Sequence, residues 1–439
     1  MKDSTVTRLT RQPRLAPTQS MMRAGQRSLR DHNLCLAFSH ISSADPDSPR
    51  SRADLAEITG LTKATVSSLV TDLRAAGLVA ELLPATPHRV GRPAIPLVVA
   101  SGTVAALGLE INVDFLGVRG IDLTGAVLAE SFEKVNLRQC DPQYAFSLLL
   151  HKAYDVITEL LHRNVRLIGA GLALPGIADH PSGPLRLAPN LGWRDVDIPQ
   201  AMTTSYQALK RELGSTAHKK TLDAIHALLI DTLVVDNEAN LAARSEIGKH
   251  KDSSFIYVSG EIGVGAAIVV DGHVFSGVHG WAGEIGHVVV DPDGRPCACG
   301  STGCLEMYAG KRALMSDAGL DGDDDISHLR AACLDGQPQA REAVDRAADA
   351  LGIALADCMN VVDVTRVVLG GSFADLTDLL RDHLSAQLSS RVLASRWVSA
   401  DLEVRASESG VYAAATGSAL SVLDKAVNDP TSRLWRREH

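Results

Sequence analysis

The 439-residue chain has few aromatic residues (4%), no long apolar run and an odd number of cysteines, seven. No apolar run reaches the roughly 18 to 20 residues that cross a bilayer, which argues against a membrane-spanning helix. The N-terminus is basic and polar without an apolar core segment, which argues against a secretory signal. We therefore expect a cytoplasmic protein, since cysteines in apolar surroundings are typical of a reducing compartment. Four cysteines fit that description: Cys35, Cys140, Cys333 and Cys358.

Charge is distributed unevenly along the chain. The net charge is −9, but residues 1–100 carry 13 Lys and Arg against 8 Asp and Glu, whereas the remaining 339 residues carry 30 against 44. A basic head on an acidic body indicates that only the head meets a polyanion. A chain of 439 residues is also too long to fold around a single hydrophobic core, so two or three domains are expected.

Residues 51–77 have the pattern of a helix-turn-helix. Ser51 and Asp54 predict a capping box, and Gly60 ends the short helix that follows. Thr62 predicts the cap of a second helix with an apolar stripe at i, i+3, i+4 and i+7. A plain helical hairpin would share the stripe, but its open face usually carries larger acidic residues. The predicted major-groove contacts are the small or cationic residues Thr62, Lys63, Thr65, Ser67 and Ser68.

Residues 78–99 predict two short strands around a polar tip. A Gly-Arg-Pro tip is narrow and projects one guanidinium, which suits the minor groove of A·T-rich DNA. The alternative is an ordinary basic turn. With this wing the head becomes a winged helix, and the tip adds Arg89 and Arg92 to the predicted DNA contacts.

The body predicts a duplicated α/β fold. Strand meanders begin near Val104 and near Phe255, and helices follow each of them. Two such halves favour the actin-like (ribonuclease H-like) ATPase and sugar-kinase fold. The expected fold class is therefore α/β, with an N-terminal winged helix-turn-helix followed by that duplicated fold.

One histidine and three cysteines predict a structural zinc site. Three thiolates and one imidazole are the four ligands of a closed tetrahedral site, which leaves no position for a catalytic water. Gly300 and Gly303 supply the backbone freedom that a tight loop needs. The alternative is a few buried free thiols beside a core histidine. The predicted zinc (Zn²⁺) ligands are His287, Cys297, Cys299 and Cys304.

Polar residues from three loops predict a monosaccharide pocket beside the metal. Carboxylates and an amide provide the hydrogen-bonding groups that vicinal hydroxyls require. Each residue alone could equally be a helix cap or a surface charge. The predicted sugar contacts are Asn237, Glu238, Glu284, His287 and Glu306.

From about residue 23 to 425 the chain resembles the ROK family of bacterial sugar kinases and sugar-responsive repressors. The motifs are CACGSTGCLE with GEIGH upstream, VDNEANLAA, and APNLGW at residues 188–193. The resemblance implies zinc held by the histidine and three cysteines, and a histidine that offers its other ring nitrogen to the sugar. The kinases lack a DNA-binding head, so the arrangement resembles the repressor branch, which includes xylose, glucose and N-acetylglucosamine regulators.

Three departures from the kinase pattern predict that nucleotide binding is lost. The phosphate loop Asp-x-Gly-Gly-Thr corresponds to EINVD at residues 110–114, where both glycines are gone and Asp114 brings a negative charge. Glu261 stands in the second phosphate loop, and Glu238 replaces the catalytic aspartate. Like charges about 4 Å apart cost on the order of 1 to 4 kcal/mol. Useful ATP binding should therefore be abolished, and the chain is expected not to be an enzyme.

The resulting hypothesis is a sugar-responsive DNA-binding regulator, most simply a repressor, acting as a homodimer or homotetramer on a palindromic, A/T-rich operator. One alternative is a ROK sugar kinase with an accessory DNA-binding head, and another is a regulator whose cleft no longer binds sugar. Repression or activation stays open. The expected domains are a disordered basic arm (1–22), the winged helix-turn-helix (23–99) and the zinc-bearing effector domain (100–439).

Overall fold

The computed structural model describes residues 26–45, 47–82, 95–178, 184–214, 218–249, 254–399, 401–429 and 433–435. None of the helices in these ranges is long and apolar enough to cross a membrane. The predicted basic arm and the wing tip with Arg89 and Arg92 lie outside the described residues.

The head is a helix-turn-helix followed by a two-stranded antiparallel sheet. Its elements are α1 (Gln26–Ser42), α2 (Arg52–Thr59), α3 (Lys63–Ala75), β1 (Val79–Glu81) and β2 (Leu97–Val99). The predicted capping box of Ser51 and Asp54 is present, and Gly60 ends α2 with φ +70°. Thr62 caps α3 by accepting a hydrogen bond from the Thr65 backbone N–H at 3.1 Å. The starts of α2 and α3 predicted from Ser51 and Thr62 are therefore confirmed.

The apolar stripe predicted for α3 packs into the core of the head, since its four residues are buried. On α2, Leu55 is buried in this core whereas Ile58 is 49% exposed. An eight-residue helix buries only a narrow face, and Leu55 occupies it. The buried stripe residues are Val66, Leu69, Val70 and Leu73.

The first lobe of the body contains a five-stranded sheet, a small three-stranded sheet and five helices. The large sheet has the order β10-β6-β3-β4-β5, with β3 (Val104–Ile111), β4 (Phe115–Asp122), β5 (Val127–Lys134), β6 (Arg166–Leu174) and β10 (Val234–Asn237). The small sheet contains β7 (Ile177–Ala178), β8 (Leu185–Ala188) and β9 (Trp193–Val196). The helices are α4 (Pro142–His162), α5 (Ile198–Leu213), α6 (Lys219–Ile225), a π-helical turn (His226–Ile230) and α7 (Glu238–Arg244).

The second lobe contains a second five-stranded sheet, ordered β13-β12-β11-β14-β15. Its strands are β11 (Phe255–Gly260), β12 (Val264–Val270), β13 (His273–Val274), β14 (Arg366–Gly371) and β15 (Glu403–Ala406). Its helices are α8 (Glu306–Ala309), α9 (Lys311–Asp317), α10 (Ile326–Leu334), α11 (Pro338–Val362), α12 (Ser372–Asp375), α13 (Thr377–Arg391) and α14 (Leu393–Val398), preceded by a 3₁₀ turn at Ile285–His287.

The two large sheets repeat one topology. In each, three consecutive strands form an antiparallel meander, a fourth pairs parallel with the first, and a fifth pairs parallel with the fourth. The duplicated fold predicted from the two meanders is therefore present, although the residues of the halves resemble each other only weakly.

Helix α15 (Ala413–Asn428) connects the interior of the body to the head. A Cβ on Gly108 of β3 would come within 1.8 Å of the Ala415 carbonyl oxygen, so only glycine allows this close packing. At the other end of α15, the Cys35 thiol donates to the Val427 carbonyl at 2.7 Å. Beyond α15, a 3₁₀ turn at Arg433–Trp435 places Leu434, fully buried, in the head core.

Candidate functional site

A cavity of about 210 Å³ lies between the lobes, and all five predicted sugar contacts line it. Asn237 ends β10 and Glu238 opens α7, so both face the cavity from the first lobe. The 3₁₀ turn at Ile285–His287 and the start of α8 supply the others from the second lobe. The lining residues that the sequence predicted are Asn237, Glu238, Glu284, His287 and Glu306.

Asn237 has a structural role as well as a place in the cavity wall. Its side-chain oxygen accepts from the backbone N–H of Ala239 at 2.8 Å, and its amide nitrogen donates to the Gly176 carbonyl at 2.9 Å. The residue is thus the N-cap of α7, the alternative that the sequence left open. One amide hydrogen remains for a ligand.

The four predicted metal ligands come together in one cluster. One donor atom from each residue lies within 4.8 Å of all the others. The Cys299 and Cys304 sulfurs are 3.7 Å apart, and the Cys297 sulfur is 3.9 Å from His287 Nδ1. Zinc–sulfur bonds of about 2.3 Å in a tetrahedron separate two sulfurs by about 3.8 Å. The donor set and its spacing therefore fit a tetrahedral zinc ion.

The loop that carries the cysteines depends on Gly300 and Gly303, as the sequence predicted. Both have positive φ, +95° and +75°, and a Cβ on Gly303 would come within 1.6 Å of the Asp291 carbonyl oxygen. The loop closes through the Cys297 backbone N–H, which donates to the Ser301 carbonyl at 2.9 Å. Glycine is thus required for the turn itself.

Glu306 couples the cysteine cluster to the cavity. Its carboxylate lies 2.8 Å from the Cys297 sulfur and 3.6 Å from His287 Nδ1. Cys299 and the neighbouring Ala298 also line the cavity. The metal loop is therefore part of the cavity wall.

Three glutamates line a small hollow beside the cavity, and of these Glu110 is buried while Glu238 and Glu261 are half-buried. Burial, followed by repulsion from Glu238, raises the pKa of Glu261 to about 8. Burial also raises the pKa of Glu238 to about 7, although a hydrogen bond from Asn112 Nδ2 at 3.2 Å opposes the shift. Burial raises the pKa of Glu110 well above its usual value, and its carboxylate accepts from the Ala415 N–H at 2.9 Å.

The structure changes the expected role of Asp114 and adds two cavity residues. Asp114 does not line the cavity, because its carboxylate faces Lys311, whose ammonium lies 3.8 Å away. Asn112 and Asn190 do line it, and Asn112 binds Glu238. Asn190 stands within the APNLGW motif, and Asn112 replaces a phosphate-loop glycine. These two positions in the sequence could have identified Asn190 and Asn112 as residues of the cavity wall.

The predicted DNA-contact residues of α3 lie near its N-terminal end. Lys63, Ser67 and Ser68 are exposed, whereas Thr65 is half-buried. Thr62 is committed to the cap and lies 2.9 Å from the Thr65 hydroxyl. A cation that the sequence did not single out joins them, since Arg30 of α1 donates to the Ser68 hydroxyl at 3.2 Å and pairs with Asp72.

Replacing Glu261 with glutamine should stabilise the protein in a pH-dependent way. Folded Glu261 keeps its proton up to about pH 8, whereas the ordinary pKa is 4.5, so the folded state binds more protons between these values. The contribution of protonated Glu261 to the free energy of unfolding is fully present below about pH 4.5 and is lost as the pH rises through about 8. Glu261→Gln should raise the free energy of unfolding by about 2 kcal/mol at pH 8.5, with no difference near pH 4.5.

Denaturant unfolding at both pH values measures this difference. The exposed Glu342 on α11 provides the control, because Glu342→Gln makes the same chemical change on the surface. An equal effect of the two substitutions at pH 8.5 would contradict the burial argument.

Comparison with known proteins accounts for the head and the body together. The ROK family model matches residues 209–425, and the MarR family model matches residues 36–89. A glucokinase from Halalkalibacterium halodurans is 31% identical over 250 residues, which span 52% of this chain and 69% of the glucokinase. The chain belongs to the ROK family. Within this ROK protein, the MarR match covers the helix-turn-helix.

Two further relatives extend over nearly the whole ROK chain. The xylose repressor of Bacillus subtilis (strain 168) is 28% identical over 388 residues, covering 86% of this chain and 92% of the repressor. The crystal structure of a ROK family transcriptional regulator, a homologue of the E. coli MLC protein, matches with a TM-score of 0.70 at 20% identity. That match covers 92% of this chain and 97% of the regulator, and it confirms the expected fold class.

Proposed function

We propose that this ROK protein is a DNA-binding transcriptional repressor that responds to a sugar. One observation supports this function most strongly: the same chain has an exposed helix suited to reading DNA, α3, and a cleft lined by carboxyl groups. In that cleft the glycines expected of a phosphate-binding loop are absent. The relatives that span most of the chain are a xylose repressor and a ROK transcriptional regulator, which supports the same function.

The DNA-binding surface is the N-terminal part of α3. Lys63 and Ser67 project from a helix that is anchored on its inner face by four buried apolar residues. Helices of this kind enter the major groove with their N-terminal residues against the base edges. A homodimer or homotetramer would place two such helices on a palindromic operator, and Arg89 and Arg92 would contact A/T-rich flanks.

The sugar would bind in the cavity, where Glu238 faces it from one lobe and Glu284 and Glu306 face it from the other. Closure of the lobes on the sugar would move α15, which is tied to Glu110 near the cavity and to the head at Val427. A ligand shifts the DNA-binding equilibrium only through its different affinities for the two states. Coupling of about 1 to 3 kcal/mol is the usual range.

A zinc ion held by His287 and the three cysteines would brace this arrangement. Four protein ligands leave no site for a reacting water, so the metal would provide rigidity and no chemistry. Its contribution would be to fix Glu306, which begins α8 two residues after Cys304.

The rival function, a sugar kinase, is favoured by the similarity to a glucokinase. Against it, Asn112 hydrogen-bonds to the carboxylate at the catalytic position, and Glu110 and Glu261 line the hollow where phosphates would lie. A coupled ATP assay with a panel of sugars distinguishes the two functions. Turnover above about 1 s⁻¹, in the usual enzyme range, would establish the kinase.

Replacing Lys63 with alanine should weaken DNA binding and its salt dependence. Lys63 brings a positive charge to the DNA surface, and loss of one such charge lowers the slope of log affinity against log salt by about 1. Fluorescence anisotropy with DNA from the region upstream of the protein's own gene measures both quantities. Lys210→Ala on α5 is the control, since Lys210 is exposed on the body. Equal slopes for the two variants would mean that α3 does not contact DNA.

A further inference from the structure

We propose that the cavity selects its effector by charge: it accepts a sugar without anionic groups, gains affinity from a protonated amine, and excludes phosphorylated sugars and sugar acids. This inference rests on the proposed sugar-sensing function and narrows the class of ligand. It comes from the charges of the cavity wall and of the hollow that adjoins it.

The wall carries negative side chains from both lobes. Four glutamates line the cavity, and no lysine or arginine does so among the described residues. His287 is the one lining side chain that could carry a positive charge, and it belongs to the metal cluster. The four glutamates are Glu238, Glu261, Glu284 and Glu306.

The hollow at the former phosphate end adds a fifth carboxylate. It shares Asn112, Glu238 and Glu261 with the cavity, so the two spaces adjoin, and it is also lined by Glu110. Glu110 is 3% exposed, and its carboxylate accepts a hydrogen bond from the Ala415 backbone N–H. A phosphate placed here would meet the ionised Glu238 in an environment that screens charge poorly, and among the described residues no lysine or arginine lines the hollow.

The neighbouring cations are engaged elsewhere. The Lys311 ammonium lies 3.8 Å from Asp114, which does not line the cavity. Arg119 donates to Glu130 at 2.9 Å and to Thr416 at 2.9 Å, and its guanidinium lies over the Tyr412 ring. Lys311 favours the ionised form of Glu261 and Arg119 that of Glu110, but neither cation lines the hollow, so neither would contact an anion bound there.

The same carboxylates suit a cationic ligand. Burial and mutual repulsion raise the pKa of Glu238 to about 7 and that of Glu261 to about 8, so their negative charges are poorly stabilised by the protein. An ammonium group offers three donors and a compensating charge. Neutral hydroxyls offer donors without the charge, and a phosphate offers only acceptors and more negative charge.

Isothermal titration calorimetry at pH 7.5 tests the inference with four probes on one scaffold: glucose, 2-amino-2-deoxyglucose, 6-amino-6-deoxyglucose and glucose 6-phosphate. We expect at least one amine to bind about 10-fold tighter than glucose, which corresponds to about 1.4 kcal/mol. Glucose 6-phosphate should bind at least 30-fold more weakly than glucose. Glu238→Gln, which removes a carboxylate that is mostly ionised at this pH, should reduce both ratios by at least threefold, whereas the surface control Glu342→Gln should leave them unchanged.

The outcomes separate this inference from the function on which it rests. Glucose 6-phosphate binding within threefold of glucose, or amines no tighter than glucose, would overturn charge selection and leave sugar sensing intact. No detectable binding of any probe, repeated with xylose and xylose 5-phosphate, would overturn both.

Discussion

The Cys304→Ala variant is expected to lose stoichiometric zinc and with it the response to sugar, while DNA binding persists. Cys304 is fully buried and its sulfur lies 3.7 Å from that of Cys299. Removing one of four ligands should weaken zinc binding by at least about 100-fold, more than the 10- to 100-fold typical of residues that only support the ligands. Without the metal, Glu306 loses its fixed position in the cavity wall.

Metal analysis of the purified variant and anisotropy titrations with and without sugar measure this outcome. Cys333→Ala is the matched control, because Cys333 is also a buried free thiol of the second lobe but lies outside the cluster. A Cys304→Ala protein that retains one zinc per chain would rule out the proposed ligand set. A wild-type response in zinc-free Cys304→Ala would show that the metal loop is not needed for sensing.

The Leu434→Ala variant is expected to bind sugar normally but to lose its effect on DNA binding. Leu434 is fully buried in the head core, and the neighbouring Trp435 packs edge-on against Phe38 at 5.8 Å. Truncating a buried leucine costs about 2 to 5 kcal/mol. The head would then no longer be held firmly to α15, and the coupling of about 5- to 150-fold expected for allosteric proteins should fall close to onefold.

Calorimetry with sugar and anisotropy with DNA separate the two effects in Leu434→Ala. Trp397→Ala serves as control, because Trp397 on α14 is 78% exposed and far from the head core cluster. If Leu434→Ala destabilises the protein yet keeps the full sugar effect on DNA affinity, then the signal does not pass through α15 and the turn that follows it.

The parts of the fold that the sequence could predict are those governed by local chemistry. Ser51, Thr62 and Gly60 determine helix ends through hydrogen bonds and backbone conformations within a few residues. Asp-Gly is a sequence typical of two-residue hairpin turns, and Asp271 and Gly272 both have the positive φ that such a turn requires. The clustering of one histidine with three cysteines was equally predictable, since all four lie within 18 positions of one another in the sequence.

The features that the sequence could not predict are contacts between distant segments. Asn112 meets Glu238 across 126 positions, and Lys311 reaches Asp114 from the other lobe. In the first contact, Asn112 stands where the kinase pattern has a phosphate-loop glycine. In the second, Lys311 holds the Asp114 carboxylate away from the cavity wall. Likewise, no local pattern indicated that Leu434 completes the head core, because the residue is far from that core in sequence.

The site residues also show why residue type alone leaves roles open. Asn237 both lines the cavity and caps α7, so its structural role is confirmed while its contact with a sugar stays a prediction. Glu110, in contrast, was visible in the sequence as part of an altered loop, but its burial beside Glu238 and Glu261 is a property of the assembled fold. Charge selection in the cavity depends on that assembly.

Sugar-dependent repression without nucleotide is tested most directly by the DNA affinity of the zinc-loaded wild-type chain, measured by anisotropy with and without saturating sugar and with and without Mg-ATP. We expect that an amino or neutral sugar changes the affinity at least fivefold, that Glu284→Ala removes this change, and that Mg-ATP has no effect. Tight Mg-ATP binding with turnover of the sugar, or a DNA affinity that no sugar alters, would rule out a sugar-responsive repressor.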